Sequence, residues 1–113
     1  VTPTTAPRRL PHPAPDQIRL EGVLHALSDP ARVRIVCALA AAESGLTCSA
    51  VEVPVSKSTL THHYRVLREA GVVAQVYRGT SKVNSLRRDE LEELFPGLLE
   101  ALLTAADRQD RRS

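Results

Sequence analysis

The stretch from Ser56 to Val73, SKSTLTHHYRVLREAGVV, constrains the fold more than any other part of the chain. A serine stands where a helix cap is wanted, since its hydroxyl can accept from an otherwise unpaired N–H of the first turn. A helical pattern follows until Gly71, and a β-rich segment begins at once. On a 3.6-residue wheel, Leu60, His63, Tyr64 and Leu67 fall on one arc. Lys57, Ser58, Thr61, His62, Arg65 and Arg68 fall on the opposite one, with Glu69 as the only acid. The first arc suits a core. The second combines hydroxyl, imidazole and guanidinium groups, the composition of a helix that touches DNA.

The segments around this helix fit one small domain. Residues 1–15 hold five of the eight prolines and are expected to form a flexible arm. The first helix is expected from Asp16 to Leu27, with Asp16 as its cap. Ser28-Asp29-Pro30 reads as a stop and a restart, because proline suits the first position of a helix. The second helix then runs to about Ala42, with Val33, Ile35, Val36, Leu39 and Ala40 facing inward. After the break at Glu43-Ser44-Gly45, Thr47 is expected to cap a short third helix over Cys48 to Glu52. Val53-Pro54-Val55 is the turn before Ser56, so the pair of helices makes a helix-turn-helix.

Beyond Gly71, Val72 to Tyr77 and Lys82 to Leu86 predict two strands joined by Arg78-Gly79-Thr80-Ser81, a hairpin with a basic tip. The last segment carries an apolar stripe of Leu91, Leu94, Phe95, Leu98, Leu99, Leu102 and Leu103, kinked or split at Pro96-Gly97. A stripe this wide exceeds what one shallow core covers, which makes the first and last helices candidates for a dimer interface. The fold class is therefore mainly α with a β-hairpin wing: a winged helix-turn-helix over residues 16–108, with a flexible tail at 109–113.

Charge and composition narrow the function classes. The net charge is only +2, but residues 54–82 carry five cations against Glu69, whereas residues 83–113 carry five arginines against seven acids. Positive charge thus concentrates around the capped helix and the hairpin, as a footprint for phosphate would. Two cysteines, Cys37 and Cys48, do not make a disulfide framework. No apolar run approaches the ~20 residues that cross a bilayer, so a cytoplasmic, nucleoid-associated protein is expected. No phosphate-cradling glycine loop, nucleophile elbow or HExxH motif is present, so no enzyme is expected. The acids Asp89, Glu90, Glu92 and Glu93 open a helix, where they complement its dipole.

Three motifs carry a family resemblance. LSDPARVRIV at 27–36 resembles the opening signature of the ArsR/SmtB family of bacterial winged-helix repressors. VSKSTLTHHYRVLREAGVV at 55–73 is similar to that family's recognition helix, and RGTSKVNSL at 78–86 to its wing. The resemblance implies a homodimer on double-stranded DNA, bound at an inverted repeat with half-sites about one helical turn apart, and usually released by an effector. It places DNA contacts at Lys57, Ser58, Thr61 and His62, with Arg65 near the backbone. The family commonly has arginine at the position of His62. With the cap Ser56 and the cations and hydroxyl of the wing, the candidate DNA-binding set is Ser56, Lys57, Ser58, Thr61, His62, Arg65, Arg68, Arg78, Thr80 and Lys82.

The effector is left open by these residues. Metal-sensing relatives carry a Cys-x-Cys pair at the third helix, where this chain has only Cys48. The other metal site of the family needs aspartate and histidine on the last helix, and Asp107 and Asp110 stand there without histidine. No metal or cofactor is expected. Cys48, at a helix start, and Cys37 are candidate thiol sensors, with two small buried hydrophobes as the alternative. The remaining alternatives are a metal-responsive member of the family and a winged-helix protein-interaction module.

Overall fold

The computed structural model describes residues 8–42 and 44–112. The elements in order are β1 (Arg8–Arg9), α1 (Leu20–Ala26), α2 (Pro30–Ala41), β2 (Leu46–Thr47), α3 (Lys57–Glu69), β3 (Val73–Arg78), β4 (Ser81–Leu86), α4 (Arg88–Leu94) and α5 (Leu98–Arg112). Single 3-10 turns lie at Pro15–Gln17 and Cys48–Ala50. The architecture is a winged helix-turn-helix: helices packed on one sheet of order β1-β3-β4-β2, all pairs antiparallel.

The core is aliphatic, as a chain with one Phe and no Trp or Met requires. Val23 and Ala26 of α1, Ile35, Val36 and Leu39 of α2, and Tyr64 and Leu67 of α3 meet over Val72 and Val73. Leu91 and Leu99 close it from α4 and α5. Each fully buried aliphatic side chain contributes about 1.5–3 kcal/mol.

Local chemistry fixes the ends of α2 and α3. The Asp29 carboxylate accepts from Ala31 N–H at 2.8 Å and from Arg32 N–H at 3.4 Å, ahead of Pro30 at the first helical position. Ser56 Oγ accepts from Thr59 N–H at 3.2 Å. At the far end of α3, Val72 N–H donates to Leu67 O and Gly71 N–H to Arg68 O, both at 3.0 Å. That is a Schellman closure, and Gly71 supplies the positive φ of 87° it needs.

The hairpin turns at Gly79-Thr80, with Arg78 opposite Ser81. Gly79 has φ of 65° and Thr80 does not have positive φ, the pattern of a type II′ turn.

Several expectations are corrected. The first helix begins at Leu20, not Asp16: Pro15–Gln17 is a 3-10 turn, and Ile18 and Arg19 are extended. Burial of Ile18 beside Gly71 outweighs the local helical pattern. The short third helix is only the 3-10 turn Cys48–Ala50, because Leu46 and Thr47 are drawn into pairing with Asn84 and Val83 of β4. The last segment, by contrast, splits at Phe95-Pro96-Gly97 as its sequence leads one to expect, and Gly97 there has φ of 81°.

The expected arm and tail also differ. Arg8 and Arg9 form β1 on the edge of β3, and residues 10–15 follow along the sheet to α1. Residues 109–112 continue α5. The rest of the expected arm (1–7) and of the expected tail (Ser113), together with Glu43, lie outside the described residues.

Candidate nucleic-acid interface

The capped start of α3 sets the outward face. Lys57, Ser58, Thr61, His62 and Arg65 are exposed, while His63, Tyr64 and Leu67 are buried and Leu60 is half-buried. The wheel separates these residues as the burial does, except that Arg68, which it sets on the outer arc, is half-buried. The side chains of the outer face are partly pre-set. Thr61 Oγ1 donates to Lys57 O at 3.0 Å, which ties its hydroxyl to the helix. Arg65 Nη2 donates to His62 Nδ1 at 3.1 Å, so the two side chains form one donor-rich unit. Arginine has no acceptor, and His62 Nδ1 is therefore the lone-pair nitrogen in this bond. Ser56 spends its hydroxyl on the cap, accepting from Thr59 N–H and donating to Thr59 Oγ1 at 2.9 Å.

Arg68 stands apart from that face. It is half-buried, and its Nη1 donates to Gln75 Oε1 at 2.8 Å. Its Nε is buried without a hydrogen-bond partner. The side chain that sequence reasoning gave to phosphate is thus the strut between α3 and β3. On the wing, Arg78 and Thr80 are exposed, and the Lys82 ammonium lies 5.8 Å from the Tyr77 ring centre. A cation over an aromatic face is attracted by the ring quadrupole.

The strut continues inward. Gln75 Nε2 donates to Asn84 Oδ1 at 2.7 Å, and Asn84 Nδ2 donates to Leu46 O at 3.1 Å and to Cys48 Sγ at 3.3 Å. Gln75 and Asn84 are 1% and 0% exposed. One chain of hydrogen bonds therefore runs from α3 through β3 and β4 to β2 and the 3-10 turn at Cys48–Ala50. A second polar link joins α2 to α3. Arg32 Nε donates to Ala26 O at 2.7 Å, and its Nη1 donates to His63 Nδ1 at 3.2 Å. Sequence reasoning missed Arg32, Gln75, Asn84 and the buried Arg87. The only signal was positional: Gln75 and Asn84 occupy inward places in an alternating strand.

The cysteines are both free and half-buried. Burial, and then the negative charges of Asp110 and Asp107, push the Cys37 thiol up. A raised pKa keeps it protonated and a poor nucleophile. Cys48 opens a three-residue turn, not the helix expected, and its sulfur accepts from Asn84. Among the described residues, no group of three or more His, Cys, Asp or Glu side chains is placed to hold a metal ion. Among them too, no helix is long and apolar enough to cross a membrane.

A capped helix with a basic outer face, braced against a basic hairpin, defines a DNA-binding winged helix. Residues 27–76 match the family model described as a helix-turn-helix domain. The chain is also 37% identical over 89 residues to YceK of Bacillus subtilis (strain 168), an uncharacterized HTH-type transcriptional regulator. That match covers 77% of this chain and 88% of the relative. The chain belongs to the family of helix-turn-helix transcriptional regulators.

Proposed function

We propose that the protein is a dimeric, sequence-specific repressor of the ArsR/SmtB kind, acting in the cytoplasm at the nucleoid. The observation that carries this is the division of α3 into an exposed face of Lys57, Ser58, Thr61, His62 and Arg65 and a buried face of His63, Tyr64 and Leu67. The recognition helix, residues 56–70, lies in the major groove. Lys57 donates to guanine O6 or N7, and Ser58 and His62 read neighbouring edges. With its hydroxyl turned to the helix backbone, Thr61 offers its methyl to thymine. Arg65 and the wing residues Arg78, Thr80 and Lys82 grip phosphates, which position the protein without specifying sequence.

A second copy covers the apolar face of the first and last helices. Leu20 and Leu24, one turn apart on α1, are 44% and 47% exposed, and Leu102 and Leu103 of α5 are half-buried. Two-fold symmetry then requires an inverted-repeat operator with half-sites about one helical turn apart.

Selection of genomic fragments on the purified protein tests the reading, with sedimentation to measure its mass. Recovered sites with an inverted repeat and a dimer mass support it. Binding to duplex DNA that hardly changes between about 50 and 200 mM salt would remove the phosphate contacts on which it depends.

A further inference from the structure

His62 and Arg65 stand one turn apart on the outer face of α3, and their bond decides what the imidazole can offer a base. We propose that Arg65 is the positioning residue for His62: it occupies Nδ1 and leaves Nε2–H as a donor that reads guanine. The proposal rests on the DNA reading above. It adds to that reading the kind of base edge His62 takes and a second task for Arg65.

Arg65 Nη2 donates to His62 Nδ1 at 3.1 Å, and both side chains are exposed. A neutral imidazole carries one N–H, so a ring that accepts at Nδ1 carries its proton on Nε2. Glu69 lies four residues beyond Arg65, the spacing of an ordinary helical ion pair. Arg65 nevertheless turns back to His62 and forms no ion pair among the described residues. Long helical side chains lean toward the helix N-terminus, and the first turns of a recognition helix are the part that meets base edges. The guanidinium has five N–H donors in a fixed fork. One serves His62, and the others remain for a phosphate oxygen.

The neighbouring side chains also favour an acceptor as the target. Lys57 only donates. Thr61 Oγ1 is bonded to Lys57 O, so its methyl faces outward in its place. His62 Nε2–H extends this donor surface. In the major groove guanine offers two acceptors and cytosine a donor, so one fixed donor separates them. A ring free to move its proton to Nδ1 would present an acceptor at Nε2 and lose that distinction.

The test compares the full chain with His62→Ala, Arg65→Lys, Arg65→Ala and the double variant His62→Ala/Arg65→Lys at matched circular dichroism. Base preference is read by competition between the selected site and its single-base variants, and phosphate contact by a salt series. His62→Ala should lower the preference for guanine at one position in each half-site by about fivefold. Arg65→Lys keeps a charge for phosphate, and with it the salt slope, but one ammonium does not serve phosphate and imidazole together as the fork does. It should lower the preference at that same position by about twofold and add nothing in the His62→Ala background. In the free protein at about pH 8, where imidazoles are neutral, two-bond proton–nitrogen NMR spectra should show His62 protonated at Nε2. Arg65→Ala should raise the share of the Nδ1-protonated ring. No loss of guanine preference in His62→Ala, full preference in Arg65→Lys, or a tautomer unmoved by Arg65→Ala overturns the proposal and leaves the other contacts of α3 untouched. Salt-independent binding or no binding by the unaltered chain overturns the DNA reading itself, and this proposal with it.

Discussion

Arg32 of α2 and His63 of α3 are bonded inside the protein, guanidinium Nη1 to imidazole Nδ1 at 3.2 Å. Arg32 is 8% exposed and His63 7%. Because arginine only donates, His63 presents a lone pair on Nδ1 in this bond. The helix that carries the outer basic face is thereby tied from behind to the helix capped by Asp29. A hydrogen bond to a charged group is worth about 1.5–3 kcal/mol, and removing one partner strands the other. His63→Leu should therefore destabilise the fold by about 2 kcal/mol. Combining it with Arg32→Met should cost less than the two single changes together, by about 1–2 kcal/mol in a urea-denaturation cycle. Additive losses would mean that the two side chains act independently.

Gly71 answers two demands at once. Its φ of 87° closes α3, and a Cβ built on it would lie 2.5 Å from Ile18 Cγ1 and 2.7 Å from Ile18 Cδ1. Gly71→Ala should therefore cost more than the ~1 kcal/mol of left-handed strain alone. Ile18→Ala relieves the clash, so Gly71→Ala should cost less in an Ile18→Ala background. Denaturant midpoints of the four proteins measure this. An equal cost in both backgrounds would assign the whole effect to the backbone.

What was legible in the sequence follows from how far apart the interacting residues lie. Ser56, Asp29-Pro30, Gly71 and Gly79-Thr80 act on neighbours a few residues away, so their caps, starts and turns could be read directly. The faces of α3 were legible because Leu60, His63, Tyr64 and Leu67 repeat at helical spacing. The buried polar residues were not. Arg32 finds His63 and Arg87 finds Pro13 only through the folded chain, and an isolated arginine reads as exposed. Arg68 was assigned to phosphate for the same reason, since its partner Gln75 lies across the corner at Gly71. The first helix was drawn too long because its pattern runs back to Ile18, whereas tertiary packing against Gly71 holds Ile18 extended.

Asp29 makes stability depend on acid. Burial works against its charge. The N–H groups of Ala31 and Arg32, and then the charge of the nearby Arg32 side chain, outweigh that and hold its carboxyl below the ordinary value of 3.8. With the folded pKa below the unfolded one, the stabilisation is fully present above the unfolded value. It is lost as pH falls through the folded value. Asp29→Ala should cost about 1 kcal/mol at neutral pH. Asp29→Asn keeps a capping oxygen without the titration, so its stability should fall less steeply below about pH 4. Thermal melts of the three proteins from neutral pH to about pH 3 compare these slopes. Parallel curves for aspartate and asparagine would show that Asp29 does not contribute to acid sensitivity.

The reading of α3 as the specificity element separates two kinds of lysine and arginine change. Lys57 is exposed in the first turn of α3, and Arg78 is exposed at the tip of the wing. A base-edge contact carries sequence information, whereas a phosphate contact does not. Lys57→Ala should cost about 1–3 kcal/mol on the preferred site and relax preference at one base position in each half-site. Arg78→Ala should weaken all duplexes alike and reduce the salt slope by about 1. The comparison needs only the selected site, a set of single-base variants and a salt series. If Arg78→Ala changed base preference while Lys57→Ala weakened every duplex equally, the recognition role would pass from α3 to the wing.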